Sequence, residues 1–424
     1  SGWLKRTTTG TNYIFTANNA DAGGTNYSML QFNADDELRW YDYSGGGFTS
    51  QLVTDRRFRD TNGYYHIVII YDSAQATAAD RIKFYINGVQ ETSFYVASYP
   101  SQNYDSYMNF SGYPNYIGRE TGTGSLFNGI MSFVNFTDGY AYAPTEFGET
   151  DSLTGEWKIK IDSTVTYGTN GYFIFKDGTN LSGSTVQDQS GQGNNFTVTA
   201  GTLTDTKDCP DNVFATMNVL DKNTNVVLTN GSNSLSTTNN GNWVNASRAT
   251  LGIRSGKVYW EMKITGSGTS NGYFFGICAD TVNLNTTSGL QDTSAERAKG
   301  MLLFCDDGQY QLDNNSRQSM TSGAALNDVL ACAVDRSSNN VKFYKNGAQV
   351  GSIDISSSPL ATVSDIMPLT IGYYTALQLN HNFGNGVFGT STVSSSGTSA
   401  STPGTFEYDV PSGYQPLSTK GLNA

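Results

Sequence analysis

The chain has 424 residues, of which only 15% are charged and two are histidine, and its formal net charge at pH 7 is −12. It contains 46 Gly, 26 Tyr and 22 Phe, and such a composition favours strands joined by tight turns over helices. The length predicts two or three domains. The acidic balance argues against nucleic acid as a partner, and the absence of a long apolar run argues against insertion into a membrane.

Strand-like segments separated by Asn- and Gly-rich turns follow one another from the beginning of the chain. Each is a short run of aromatic, β-branched and polar residues, the pattern expected of a half-buried strand. These segments are residues 1–6, 12–17, 27–33, 37–43 and 64–72.

A hairpin pattern in the first part of the chain recurs in the second. Residues 81–90 read RIKFYINGVQ and residues 340–350 read NVKFYKNGAQV. Each is a strand-like run broken by Asn-Gly, the strongest short-range signal for a two-residue β-hairpin. Each also follows an apolar strand that ends in Asp, at 64–72 and 329–335. The repeat predicts two domains of related architecture.

Three segments of different character are predicted along the chain. The first β-sandwich spans residues 1–148 and a β-rich connector spans 149–208. A second β-sandwich spans 209–424 and includes a loop rich in Ser and Thr at 391–408, whose composition is typical of a flexible surface segment.

The second sandwich resembles a SPRY domain over nearly its whole length. The resemblance is carried by residues 256–263 (GKVYWEMK), 273–278 (YFFGIC), 328–347, 380–384 (NHNFG) and 411–417 (PSGYQPL). It implies a bent β-sandwich related to the concanavalin-like fold. Domains of this family bind peptides or proteins through variable loops, so no individual residue is carried over.

The first sandwich resembles the laminin-G-like, concanavalin A-like jelly rolls. The carrying segments are residues 3–6, 66–72, 83–90, 116–118 and 127–139. The resemblance implies an all-β protein with two concanavalin-like jelly rolls in tandem, and a chain that begins inside its first jelly roll and lacks the opening strand.

The continuation of the first sandwich, residues 145–198, is similar to a segment that joins such a jelly roll to a SPRY domain in proteins of tailed phages, especially marine ones. This similarity implies a location on the surface of a virion. It also implies other virion proteins and further copies of the same chain as partners.

The sequence offers no arrangement expected of an active site. Glucanases with a concanavalin-like fold need carboxylates on one face of a strand, in the pattern E-x-D-x-E, and no strand here has it. Asp35, Asp36 and Glu37 are adjacent and are interpreted as a solvated turn. His66 and His381 are interpreted as packing or hydrogen-bonding residues. The sequence therefore predicts no catalytic residues and a protein that is not an enzyme.

Two aspartates are candidate calcium ligands, and no other cofactor is predicted. Asp138 lies in TDGYAY and Asp188 in DQSGQGNN. Loop carboxylates of this kind bind calcium in several lectin-like jelly rolls. The same motifs equally satisfy the needs of Asx turns, in which Asp caps its own backbone and Gly takes a positive φ. Both alternatives stay open at the level of the sequence.

A tyrosine-rich stretch at residues 95–116 is the candidate ligand-binding segment. Tyrosines spaced among Ser, Asn, Pro and Gly are typical of adaptable binding loops. The candidate ligand contacts are Tyr99, Tyr104, Tyr107 and Tyr113. Packing against another subunit or within the domain explains the same pattern.

These features together favour a non-enzymatic structural and adhesion protein of a virion. We expect a fibre, an appendage or a capsid-surface component that mediates assembly and attachment to a glycan or protein of the host surface. The alternative is a secreted or cell-surface carbohydrate-binding module. A polysaccharide depolymerase is a third hypothesis, and it would require a convergent carboxylate pair in a groove.

Overall fold

The computed structural model describes residues 1–19, 24–120, 126–161, 164–176, 181–238, 245–266, 272–284, 294–372, 377–397 and 403–423. Its contacts divide the chain into two compact units, Ser1–Leu203 and Thr204–Ala424. Strands form the body of both units, which confirms the all-β prediction. Among the described residues, no helix combines the length and apolar character needed to cross a bilayer.

The strands of the first unit are short and follow the alternating segments of the sequence. Two single 3-10 turns, Ala78–Asp80 and Pro144–Glu146, interrupt them. In chain order the strands are β1 (Gly2–Arg6), β2 (Asn12–Asn18), β3 (Tyr27–Phe32), β4 (Glu37–Ser44), β5 (Gly47–Arg57), β6 (Tyr65–Tyr71), β7 (Ile82–Ile86), β8 (Val89–Glu91), β9 (Phe94–Ser98), β10 (Asn115–Ile117), β11 (Gly129–Ser132), β12 (Val134–Phe136), β13 (Gly148–Thr150), β14 (Trp157–Ile159), β15 (Tyr172–Ile174), β16 (Leu181–Ser182), β17 (Thr185–Val186) and β18 (Phe196–Thr197).

Two antiparallel sheets form the sandwich of the first unit. One has the strand order β11-β1-β6-β7-β8 and the other β10-β2-β3-β4-β5-β9. Ile82, Phe84 and Ile86 of β7 are buried at every second position, as expected for a strand with one face on a core. They belong to an apolar cluster that also includes Trp40 and Leu52 of the second sheet.

Residues 149–203 belong to the first unit, and Trp157 fixes their first strand pair. The indole Nε1 of Trp157 donates to Nδ1 of His66 at 3.0 Å. On its other side the His66 ring stacks on Trp3 with ring centres 4.5 Å apart. A Cβ on Gly88 would lie 2.6 Å from the Trp157 ring and one on Gly148 would lie 2.5 Å from it. Only glycine therefore admits the indole at these two positions.

The second unit is a larger sandwich that is also built from short strands joined by turns. Short helices α1 (Ser294–Arg297) and α2 (Thr419–Leu422) and a 3-10 turn at Pro359–Ala361 accompany its strands. The strands are β19 (Met217–Lys222), β20 (Val226–Thr229), β21 (Ser234–Thr237), β22 (Asn245–Ala249), β23 (Lys257–Ile264), β24 (Tyr273–Ala279), β25 (Gly300–Phe304), β26 (Gln309–Leu312), β27 (Gln318–Ser319), β28 (Val329–Asp335), β29 (Asn340–Lys345), β30 (Ala348–Asp354), β31 (Ile366–Gly372), β32 (Leu379–Asn382), β33 (Val387–Phe388), β34 (Ser391–Thr392) and β35 (Gln415–Pro416).

Two sheets enclose the core of the second unit. Their orders are β19-β22-β31-β24-β25-β26-β27 and β20-β21-β32-β23-β28-β29-β30, with β35 added in parallel to β23. Trp260 and Phe343 from one sheet and Phe275 from the other are almost fully buried in this core.

The two Asn-Gly hairpins predicted from the sequence are confirmed. Asn87 and Gly88 have φ angles of 49° and 80°, and Asn346 and Gly347 have 50° and 80°. Positive φ at both central residues is what a type I′ turn requires. These turns join β7 to β8 and β29 to β30.

A buried glutamate holds the C-terminal segment of the second unit. Glu261 of β23 is fully buried, and its carboxylate accepts from the backbone N–H groups of Glu407 and Tyr408 at 2.8 and 2.9 Å. Asn382 Nδ2 donates to it at 3.2 Å and the Tyr259 hydroxyl at 3.1 Å. Glu261 thus acts as a structural acceptor at the junction of three segments.

The interpretation of the first acidic cluster as a solvated turn is wrong for Asp36. Its carboxylate is buried, with Arg6 Nη2 at 3.0 Å and Arg59 Nε at 3.1 Å. Asp36 has a φ of 66°, so the chain turns there into the left-handed region. Asp35 is exposed, as expected.

Candidate functional site

The first sandwich contains a cleft of about 590 Å³ that opens between its two sheets. Its volume lies within the range of small-molecule sites. Apolar side chains of both sheets line the interior, among them Leu4, Ile14, Leu30, Ile67, Ile117 and Met131. Residues 72–74, 104–106, 108–111 and 137–142 of three loop segments also line it, and we call these segments its mouth. We refer to this space as the cleft.

Carboxylates and amides give the mouth of the cleft its polarity. Asp72, Asp105 and Asp138 line it together with Asn109. Asp105 is exposed, while Asp72 and Asp138 are partly buried. The described lining residues include no Lys or Arg side chain. The mouth therefore offers hydrogen-bond acceptors and negative charge to a ligand.

Aromatic rings stand beside these polar groups. Phe110 and Tyr140 are 43% and 50% exposed, and both line the cleft. The ring of Tyr140 stacks on Tyr142 with centres 6.1 Å apart, and Tyr142 in turn meets Phe147 edge-on. Exposed rings that are held by other rings are rigid contact surfaces for a ligand.

The tyrosines predicted as ligand contacts occupy different positions. Tyr107 and Tyr113 stack with centres 5.2 Å apart and an interplanar angle of 6°, and Phe110 packs edge-on against both. Tyr104 lines the cleft, and its hydroxyl accepts from Thr49 Oγ1 at 2.9 Å. Tyr99 packs on the apolar core. The loop thus brings Tyr104, Tyr107 and Tyr113 together and leaves Tyr99 apart, and ligand contact by any of the four stays a prediction.

A fully buried carboxylate lies behind one wall of the cleft. Asp42 of β4 accepts from Ser50 Oγ at 2.6 Å and Ser106 Oγ at 2.7 Å, and also from Ser28 Oγ. The Trp40 indole and the Tyr71 hydroxyl each donate to it at 3.3 Å.

Asp42 organises the tyrosine-rich loop through two of these hydroxyls. Ser28 Oγ accepts from the backbone N–H of Tyr107 at 3.0 Å, and Ser106 Oγ accepts from that of Met108 at 3.3 Å. The Tyr107 hydroxyl also donates to Ser44 Oγ at 2.9 Å. The loop is therefore fixed to β3 and β4 from beneath, which preorganises the mouth of the cleft.

The first calcium candidate, Asp138, lies at the mouth of the cleft. Its Oδ1 accepts from Asn109 Nδ2 at 3.1 Å. Its Oδ2 accepts from the backbone N–H and the side-chain amide of Asn170 at 3.2 and 3.0 Å. Asp138 thereby joins the tyrosine-rich loop to the loop that precedes β15.

The second calcium candidate, Asp188, caps its own loop. Its carboxylate accepts from the backbone N–H groups of Phe173, Ser190 and Asn194 at 2.8, 2.9 and 3.0 Å, and from Ser190 Oγ at 2.7 Å. Within the part of the chain that the structure describes, no three His, Cys, Asp or Glu side chains converge as a metal site would require. The bond from Ser190 N–H to Asp188 fits the Asx-turn alternative, whereas the partners of Asp138, Asn109 and Asn170, are distant in the chain.

Because neither aspartate belongs to a group of three converging His, Cys, Asp or Glu side chains among the described residues, we expect calcium to leave the melting temperature unchanged relative to chelator. Thermal unfolding in millimolar calcium and in chelator checks this expectation, since an ion bound to the native state alone raises its stability. A rise of the melting temperature that Asp138→Asn or Asp188→Asn removes would contradict it.

Both histidines are buried and make hydrogen bonds. Burial lowers the pKa of His66 to about 3. Burial likewise lowers the pKa of His381 to about 4, and its Nε2 lies 2.8 Å from Thr370 Oγ1. Neutral rings in hydrogen bonds agree with the packing role assigned from the sequence. Cys278, Cys305 and Cys332 are buried free thiols.

Sequence reasoning did not single out Asp42, Phe110 or Tyr140 as site residues. Asp42 sits in a strand of ordinary composition, and its partner Ser106 is 64 residues away along the chain. Tyr140 and Tyr142 directly follow the candidate turn at Asp138 and Gly139. This pair of aromatic residues beside a turn is the sequence signal that could have identified Tyr140.

Two family models match the chain. The model described as the concanavalin A-like lectin/glucanases superfamily matches residues 1–146, and the SPRY domain model matches residues 257–357. The chain therefore contains a concanavalin-like β-sandwich followed by a SPRY β-sandwich, which confirms both domain resemblances. Domains of these two kinds are typically non-catalytic. No curated protein matches the chain.

Solved structures of SPRY domains are similar to part of the chain. The SPRY domain of human HERC1 is 18% identical, with 37% of this chain and 91% of that chain covered and a TM-score of 0.29. A second human SPRY domain is 18% identical, with coverages of 37% and 94% and a TM-score of 0.30. The PSpry domain of TRIM65 is 13% identical, with coverages of 40% and 88% and a TM-score of 0.32.

Proposed function

We propose that the chain is a non-catalytic attachment protein whose first sandwich binds a hydroxyl-rich ligand, a saccharide, at the mouth of the cleft. One observation carries the proposal: exposed Phe110 and Tyr140 stand beside Asp105, Asp138 and Asn109 around one opening.

This combination matches the chemistry of sugars. A pyranose has an apolar C–H face that stacks on an aromatic ring, and hydroxyl edges that donate to carboxylates and amide oxygens. The loop that carries Phe110 is fixed by the Asp42 network, so little conformational entropy is lost when a ligand binds. The acidic mouth disfavours phosphates and other anions.

The proposed location of the chain is the surface of a tailed-phage particle, where it attaches the particle to a glycan or protein of the host. Its support is the order of a jelly roll, the 145–198 segment and a SPRY domain, which resembles that of phage proteins. The SPRY sandwich then serves contacts with other virion proteins or with further copies of the chain. Immunogold imaging of particles with an antibody against the chain tests this setting, and particles without label contradict it.

The saccharide proposal is tested on a glycan array with the whole chain. We expect Phe110→Ala and Tyr140→Ala each to weaken binding by roughly tenfold or more, because an exposed aromatic anchor contributes on the order of 1 to 2 kcal/mol. Tyr95→Ala is the matched control, since Tyr95 is 75% exposed and does not line the cleft. Equal losses in all three variants, or no glycan bound by the wild-type protein, would contradict the proposal.

A secreted or cell-surface lectin-like module is the alternative, and it uses the same cleft. The oligomeric state distinguishes the two settings. A soluble monomer that binds glycans on the array favours the lectin-like module, whereas a stable oligomer that labels particles favours the virion protein.

A further inference from the structure

The outer face of the six-stranded sheet of the first sandwich carries a row of aromatic side chains. Leu30 of β3 and Trp40 of β4 belong to the core, so the odd-numbered residues of these strands lie on the opposite face. On that face Tyr27 pairs with Tyr43, and Tyr43 pairs with Phe48 of β5. The Tyr27 and Tyr43 rings stack with centres 5.0 Å apart, and Phe48 meets Tyr43 edge-on at 5.4 Å. Phe48 is 51% exposed and gives this face an accessible ring.

Arg39 of β4 lies beside these rings. Its guanidinium carbon is 4.3 Å from the centre of the Tyr41 ring and 5.0 Å from that of Phe48. With the Gln51 amide oxygen turned toward it, Arg39 donates to this oxygen from Nε at 3.1 Å and from Nη2 at 3.0 Å. Among the described residues no carboxylate forms an ion pair with Arg39, in contrast to Arg56 of β5, which pairs with a glutamate. The rings and the amide thus fix a cation that can still receive an anionic group.

A buried amide oxygen without a partner lies next to Arg39. Gln31 of β3 pairs with Tyr13 of β2 on one side and with Arg39 on the other. Gln31 is 5% exposed, and its Oε1 accepts no hydrogen bond from the residues that the structure describes. An unpaired buried acceptor is costly and calls for an explanation. A ligand hydroxyl that donates to this oxygen would supply one.

The tyrosine hydroxyls around Arg39 stay protonated and can donate hydrogen bonds. Burial raises the pKa of Tyr13 to about 12, and it also raises the pKa of Tyr27 and of Tyr41. The charge of Arg39 opposes the rise in all three. Glu120 also faces this group and is hydrogen-bonded to Tyr13. The face therefore combines neutral hydroxyls with a cation, and its carboxylate lies on the Tyr13 side.

We infer that this face is a second saccharide-binding surface, whose ligand is a hexuronate, a sugar that carries a carboxylate. The carboxylate accepts from Arg39, whose planar guanidinium suits it. A sugar hydroxyl donates to Gln31 Oε1, and Phe48 packs on the C–H face of the ring. Salt screens the other charges of the chain beyond about 8 Å. The surface goes beyond the proposed function, because none of these three residues lines the cleft, whose acidic mouth disfavours anions.

Calorimetric titration of the whole chain with trigalacturonate and with triglutamate tests the inference. The two have the same net charge at pH 7, but only trigalacturonate has sugar hydroxyls. We expect trigalacturonate to bind roughly tenfold more tightly, since it alone can donate to Gln31 and pack on Phe48. Its affinity should fall as NaCl is raised from about 50 to 500 mM, because a charge pair carries part of the binding.

Three variants locate the ligand. Arg39→Gln should weaken the binding of trigalacturonate by roughly tenfold or more, because charge-assisted hydrogen bonds are lost. Phe48→Ala removes an exposed ring and should weaken it by roughly fivefold or more, which keeps the test decisive if Arg39→Gln fails to fold. Arg56→Gln is the matched control, since the Arg56 side chain is 50% exposed on the same sheet, and it should bind as the wild type does.

The outcomes separate this inference from the proposed function. Trigalacturonate binding that depends on Arg39 and Phe48, without neutral glycans bound on the array, supports the inference and overturns the proposal. Neutral-glycan binding that depends on Tyr140, with no binding of trigalacturonate, leaves the proposal standing and overturns the inference. Triglutamate that binds as tightly as trigalacturonate, or an equal loss in Arg56→Gln, also overturns the inference, because charge alone would then explain the binding.

Discussion

Replacing Asp42 by alanine is expected to lower the free energy of unfolding of the first unit by roughly 3 to 5 kcal/mol. Three serine hydroxyls, the Trp40 indole and the Tyr71 hydroxyl would lose their common acceptor. A buried donor left without a partner costs about 1 to 3 kcal/mol, and rotation of the hydroxyls recovers part of the sum. Denaturant unfolding followed by hydrogen exchange within β3 and β4 measures the loss.

The hydrogen bonds of Asp42 are also expected to affect glycan binding, because they fix the loop at the mouth of the cleft. Asp42→Asn keeps the size of the side chain and one acceptor oxygen, so we expect a smaller loss, on the order of 1 to 2 kcal/mol, with weaker glycan binding. Exposed Asp35→Ala is the matched control and should stay within about 0.5 kcal/mol of the wild type. A wild-type unfolding curve for Asp42→Ala would show that the carboxylate does not organise the loop.

The second large effect is a pH dependence in the second unit that originates in Glu261. Burial raises the pKa of this carboxyl from 4.5 to about 7, although four hydrogen bonds oppose the rise. Between these two values the folded state binds more protons than the unfolded state. The contribution of Glu261 to stability is therefore present in full below about pH 4.5 and is lost as the pH rises through 7. At 1.36 kcal/mol per pKa unit, the loss is on the order of 3 kcal/mol.

Comparison with Glu261→Gln isolates this effect. The pKa of His381 is lowered to about 4, so His381 makes the same unit more stable as the pH rises toward 6.5, and it does so in both proteins. The difference in unfolding free energy between wild type and variant should change across pH 4.5 to 7, as hydrogen exchange within residues 257–264 would report. A difference that is constant across this window contradicts the account.

Local signals predicted much of the fold. The Asn-Gly turns at Asn87 and Asn346 require positive φ at both central residues, and a two-residue signal of this kind is independent of distant contacts. The sequence did not single out β5 (Gly47–Arg57), because only its middle is buried and it ends in the exposed polar residues Asp55, Arg56 and Arg57. Its place in the sheet comes from pairing with β4 and β9, which no local pattern records.

The site was less accessible to sequence reasoning because its parts are distant in the chain. The tyrosine-rich loop was visible as a composition, and the structure adds that Tyr107 and Tyr113 stack while Tyr99 packs on the core. The prediction of a solvated turn failed at Asp36 for a related reason. Adjacent acidic residues suggest a solvated turn, but Arg6 reaches Asp36 from β1, and a partner 30 residues away leaves no trace near the turn.

The most direct test of the account is hydroxyl-radical footprinting of the whole chain with and without the tightest glycan from the array. Side-chain oxidation then reports which exposed rings the ligand covers. The account predicts protection of Phe110, Tyr140 and Tyr142 at the mouth of the cleft and unchanged oxidation of exposed Tyr95. Protection elsewhere in the chain, with the mouth of the cleft still fully reactive, would contradict it.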